Sequence, residues 1–147
     1  KNSVKKGIEL GADDYIVKPI DNIILRKKLT ILLNDSESMA SLSTIKTDLF
    51  ATIKNSPFKI NMKITELSEF QIKIESPMEL IEDSKLSLIC PTLENKYGID
   101  FELTCKIVSY EKNDLLFMSD AIFVGVKEAD LEKIRRITIK GEGISDE

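Results

Sequence analysis

Histidine and tryptophan are missing from this sequence, arginine occurs only at positions 26, 135 and 136, and there are two cysteines. Without histidine, Ser-His-Asp triads, histidine metal sites and histidine acid–base chemistry are excluded. Cys90 and Cys105 lie too far apart for a Cys-x-x-Cys pair, so neither zinc ligation nor dithiol redox chemistry is indicated. Each has apolar neighbours (Leu88-Ile89-Cys90 and Leu103-Thr104-Cys105), and both are read as small buried hydrophobes on strands. No P-loop and no Gly-x-Gly-x-x-Gly pattern occurs. The carboxylates sit on polar faces, so no enzymatic activity and no metal site is expected. No apolar run approaches the ~20 residues that cross a bilayer, and no signal-peptide pattern opens the chain, so a cytoplasmic location is expected. The first residue is lysine rather than methionine, which suggests a piece of a longer protein.

What is present is a globular composition, 42% hydrophobic and 31% charged. The 147 residues leave room for a domain of about 90 residues with its own core beside a smaller part. Charge is uneven. Residues 1–33 carry seven basic and four acidic groups, residues 34–57 come to −1, and residues 58–147 carry twelve basic and eighteen acidic groups. An acidic C-terminal part attracts nucleic-acid phosphates poorly, and no aromatics interleave with a basic stripe. Nucleic acid is not an expected partner.

The chain is organised around Gly11-Ala12-Asp13-Asp14-Tyr15-Ile16-Val17-Lys18-Pro19. Tyr15, Ile16 and Val17 read as a short buried strand bounded by Gly11 and Pro19. Asp13 and Asp14 read as solvating the turn before it. A helix over 21–33 follows, with Asp21 as its cap and Ile24, Leu25, Lys28, Leu29 and Leu32 on one face.

This segment resembles the C-terminal end of a response-regulator receiver domain. The resemblance covers residues 1–33 and implies a βα unit from a doubly wound fold. It implies that Lys18 stands where the family's lysine holds an acyl phosphate. Tyr15 would be the switch aromatic, and the Lys18–Pro19 bond would be cis. The family's phosphoacceptor aspartate lies on an earlier strand, so these switch positions are expected to be inactive in this chain.

After the polar break at 34–38, Met39, Leu42, Ile45, Leu49 and Ile53 recur at spacings of three and four. That stripe predicts a linker helix over 34–57. With Ile24, Lys28 and Leu32, residues Leu42, Ile45 and Leu49 form a candidate face for a protein partner or a homodimer.

From Phe58 the apolar period becomes two. Ile60–Ile64, Ile72–Ile74, Leu86–Cys90, Phe101–Ile107, Leu115–Met118 and Ile122–Val126 give six short strands, separated by turn signals such as Ser76-Pro77 and Lys112-Asn113-Asp114. A last helix is predicted over 128–138, with Leu131, Ile134 and Ile137 inward, Asp130, Glu132, Arg135 and Arg136 outward, and Gly141 and Gly143 beyond its end. The expected fold is α+β: a receiver βα remnant, a linker helix, and a six-stranded antiparallel barrel with a C-terminal helix over 58–147.

Six strands closed by one helix resemble a PilZ domain across residues 58–140. Glu66-Leu67-Ser68-Glu69-Phe70-Gln71 is similar to that family's Asp-x-Ser-x-x-Gly turn, with glutamate for aspartate and glutamine for glycine. The resemblance implies a module that can bind cyclic di-GMP, here through Glu66, Ser68 and Arg135. No arginine lies between Arg26 and Arg135, however, and a cyclic dinucleotide needs planar bidentate cations. The reading from sequence is therefore a bacterial two-component signalling module, without a cofactor, whose PilZ-like output acts through protein contact. A cyclic di-GMP effector is the alternative.

Overall fold

A computed structural model describes residues 6–7, 10–16, 18–20, 22–33, 43–54, 56, 60–99, 102–141 and 144–145. The elements, in chain order, are α1 (Asn22–Leu32), β1 (Thr44–Ile53), β2 (Asn61–Ser68), β3 (Gln71–Ser76), β4 (Lys85–Ile89), α2 (Pro91–Tyr97), β5 (Glu102–Asn113), β6 (Leu116–Phe123), α3 (Glu128–Lys140) and β7 (Ile144–Ser145).

Strands β1 to β6 are joined by antiparallel pairings in the order β2-β3-β6-β5-β4-β1, and β1 also pairs with β2. The cycle of hydrogen bonds therefore returns to its start. The β1–β2 seam is long, running from Thr44↔Ser68 to Thr52↔Asn61. The β1–β4 seam is short, only Thr52↔Ile89 and Ile53↔Leu88. The two-residue β7 adds to β1 in parallel at Thr47 and Asp48.

Alternation explains the core. Along β3, Ile72 and Ile74 point inward, while Gln71, Lys73 and Glu75 are half-exposed. Leu49, Ile64, Ile74, Leu88 and Ile107 are fully buried, and Leu131 and Ile134 reach them from α3. Each such side chain contributes roughly 1.5–3 kcal/mol over an exposed one. Both cysteines are buried here, Cys105 on β5 and Cys90 just before α2.

Several expectations are corrected. Residues 44–53 are not part of a linker helix but strand β1, with Ile45, Thr47, Leu49 and Ala51 inward. A spacing of four satisfies a strand's period of two as well as a helix turn, and the small inward Thr47 and Ala51 hid the alternation. Met39, Leu42 and the rest of 34–42 lie outside the described residues.

The two runs at Leu115–Met118 and Ile122–Val126 do not make two strands: Leu116–Met118 and Ile122–Phe123 lie in one strand, β6, because Ser119 and Asp120 continue the ladder against β3 and β5. The strand count of six thus comes from a different set of strands. Helix α2 went unread. Pro91 opens it, Leu93 is its buried residue, and Gly98 ends it at a left-handed φ of 60°.

At the N-terminus, Tyr15 and Ile16 are not in a strand, and Val17 lies outside the described residues. A strand needs a hydrogen-bonding neighbour, and none of β1 to β7 pairs with this segment. The Lys18–Pro19 peptide bond is cis. Helix α1 covers 22–32, as anticipated, while its expected cap Asp21 is outside the described residues. Helix α3 runs two residues further than expected and ends at Gly141, φ 68°. Gly143 is not described. Asp130 faces inward rather than outward, held by Lys133 at 3.0 Å.

Candidate functional site

The residues with functional chemistry converge where the β2–β3 turn, the start of α3 and residues 10–33 meet. Ser68 ends β2 and Gln71 starts β3, leaving Glu69 and Phe70 as the turn. Ser68 is fully buried, and its hydroxyl is spent on the turn itself. It lies 3.2 Å from both the Gln71 carbonyl, to which it donates, and the Gln71 amide, from which it accepts. Gln71 is not among the positive-φ residues, so the glutamine that replaces the family's glycine meets no backbone conformation that its Cβ would resist. Glu66 sits half-buried on β2, beside a register irregularity.

Glu69 is the residue that sequence reasoning missed. Its side chain is 6% exposed and carries a charge, an expensive placement without partners. Two cations from separate helices supply them. Arg135 Nη2 of α3 donates to Glu69 Oε1, and Lys27 Nζ of α1 stands 3.6 Å from Oε2. Arg135 also reaches Glu128 at 3.5 Å. The Glu69 hydrogen bond raises the Arg135 pKa above its ordinary value. Lys27 lies over the Phe70 ring, 5.8 Å from its centre. The signal for this cluster was a glutamate two residues from an inward-facing leucine, too common a pattern to stand out.

The receiver-like positions lie beside this turn. Asp14 does not solvate a turn; its side chain is 8% exposed. Its carboxylate accepts from the Tyr15 amide (2.7 Å), the Lys28 ammonium (2.8 Å) and the Gly125 amide between β6 and α3 (3.1 Å). Asp13 is exposed, 3.8 Å from Lys106. Tyr15 is half-buried, its hydroxyl 3.4 Å from the Val126 carbonyl. Desolvation, then the Asp14 charge, raises the Tyr15 pKa. Lys18 and Pro19 are exposed and rim a cavity of about 240 Å³ with Tyr15, Ile24, Val126 and Glu128. A second cavity, about 400 Å³, lies between Leu29 and Leu32 of α1, Glu82 of the β3–β4 connection, and Val108 and Ile122 of the sheet.

The candidate interaction face does not form one surface. Ile45 and Leu49 are core residues, and Lys28 is buried in its ion pair with Asp14. Ile24 and Leu32 are half-buried, and Leu42 lies outside the described residues. Among the described residues no group of three or more Cys, Asp or Glu side chains is placed to hold a metal ion, and no helix is long and apolar enough to cross a membrane.

Comparison with solved structures gives the fold. The PilZ domain of YcgR from Escherichia coli, solved with c-di-GMP, superposes with a TM-score of 0.51 at 12% identity, over 69% of this chain and 89% of that one. The fold is PilZ-like. A second PilZ-like match, a pathogenic protein from Xanthomonas campestris described as a new tetrameric PilZ domain self-assembled through a helical bundle, has a TM-score of 0.41 at 10% identity, over 93% and 71% of the chains. No protein-family model and no curated protein matches the sequence. At such identities the likeness covers the arrangement of the backbone, and the chemistry of this PilZ-like domain has to be read from its own side chains.

Proposed function

We propose that this chain is a PilZ-like signalling module that works through protein contact and does not grip a cyclic dinucleotide. One observation carries the reading: Arg135, the only arginine at the β2–β3 turn among the described residues, is already closed on Glu69 and Glu128. Arg136 pairs instead with Glu132 on the solvent side of α3, and Arg26 is exposed on α1. Both of these bonds leave from Nη2, so that nitrogen of the planar cation is engaged by the protein's own carboxylates, and lysines offer only point charges. We read the closed cycle β1 to β6 as the six-stranded barrel of this module, starting at β1. Residues 1–33 are read as the end of a response-regulator receiver, with Tyr15, Lys18 and Pro19 at its switch positions, in a cytoplasmic two-component system. The partner is a protein or a second copy of the chain.

The alternative, a cyclic di-GMP effector using Glu66, Ser68 and Arg135, draws on the convergence of Lys27 and Arg135 at the turn. Isothermal titration with cyclic di-GMP separates the two. The first reading expects no heat of binding at micromolar dinucleotide; saturable heat would establish the second.

A further inference from the structure

We propose that residues 10–33 form a releasable arm, and that whether the arm is seated is relayed to the Glu69 turn. The seam between arm and sheet is polar. Asp14 accepts from Gly125 at 3.1 Å, Lys85 donates to the Ala12 carbonyl at 2.8 Å, and Lys106 faces Asp13 at 3.8 Å. Of the apolar side chains among the described arm residues, Leu32 is the one packed against the buried core cluster. Both cavities, of about 240 and 400 Å³, straddle this seam. A contact made of a few polar links around voids has little of the dispersion and burial energy of an integral core layer. Such a contact opens before the core does.

The relay is a continuous chain of bonds. Asp14 holds Gly125. Two residues earlier, the Phe123 amide donates to the Phe70 carbonyl at 2.7 Å. Phe70 and Glu69 form the turn, and Glu69 is shared between Arg135 and the arm's own Lys27. Lifting the arm therefore removes a turn contact directly, at Lys27, and loosens the strand end that supports Phe70. By reciprocity, a partner that moves the turn or Arg135 weakens the seating of the arm. The inference concerns how the arm is seated and does not depend on the receiver reading.

Amide hydrogen exchange on the full chain tests it, comparing the unmodified protein with Asp14→Ala. Exchange in α1, at Gly125 and at Phe123 and Gln71 is expected to rise at least about tenfold, with Ile74 and Ile107 unchanged. Three results overturn the proposal: no change in α1, faster α1 with an unchanged turn, or acceleration of core amides to the same degree. Failure of the variant to fold also overturns it, since the arm would then be integral to the core. Lys27→Met, which leaves the Asp14 cluster intact, is expected to speed exchange at the turn and, more weakly, in α1. An unchanged α1 in that variant would break the relay.

Discussion

The guanidinium of Arg135 closes on the carboxylate of Glu69, 66 positions earlier in the chain, and so ties α3 to the β2–β3 turn. Removing the cation leaves a buried carboxylate with Lys27 alone, 3.6 Å away. Arg135 is about one-third exposed, so the loss is smaller than for a fully buried pair. We expect Arg135→Met to cost roughly 1–3 kcal/mol, read as a lower urea midpoint. An unchanged midpoint would show that the pair is a surface contact.

Strand β1 makes a sharp distinction between neighbours. Leu49 is fully buried, while Phe50 beside it is 55% exposed. Leu49→Ala is expected to cost about 2–5 kcal/mol and Phe50→Ala under about 1 kcal/mol. Equal costs in chemical denaturation would contradict the alternation.

How far the sequence disclosed this architecture varied with the strength of each local signal. Ile72 and Ile74, flanked by polar neighbours, announced β3, and Leu131, Ile134 and Ile137 announced α3 with its inward face. Residues 45, 49 and 53 did not discriminate between helix and strand, because four positions fit both periods. The decision was tertiary: β2 offers a long edge to pair with. In the candidate site, Ser68 bonds its local backbone at Gln71, three positions on, a contact of short range. Asp14 and Glu69 were not recognised, because a carboxylate's burial depends on which distant cation folds against it. Lys28 is fourteen positions from Asp14, and Gly125 is 111.

Two fully buried serines are expected to behave oppositely. Ser68 has bonds in both directions with Gln71, whereas Ser119 Oγ has no hydrogen-bond partner among the described residues. Ser68→Ala should destabilise by about 1 kcal/mol, and Ser119→Ala should be neutral or stabilising by up to about 1 kcal/mol. Thermal unfolding of both variants checks the pair; a costly Ser119→Ala would mean that its hydroxyl is satisfied.

Burial pushes the Cys105 thiol up from 9.0 to about 12. The folded chain thus holds this proton more tightly than the unfolded chain. The contribution is complete below pH 9 and is lost as pH climbs toward 12, where the unfolded chain alone ionises. The slope is at most about 1.4 kcal/mol per pH unit. Comparing the protein with Cys105→Ala in urea at about pH 8 and about pH 10.5 isolates it. The stability gap should narrow at the higher pH, and a constant gap would refute the burial effect.

The central claim, that Arg135 is held by the protein's own carboxylates and leaves the turn unable to grip a dinucleotide, can be read at the atoms concerned. Nitrogen–proton correlation spectra would follow the Arg135 Nε–H signal and the amides of Ser68 to Gln71 as cyclic di-GMP is added to about 1 mM, far above the affinity expected of a specific site. We predict signals that stay in place. Saturable, concerted shifts of the Arg135 and turn resonances would contradict the account.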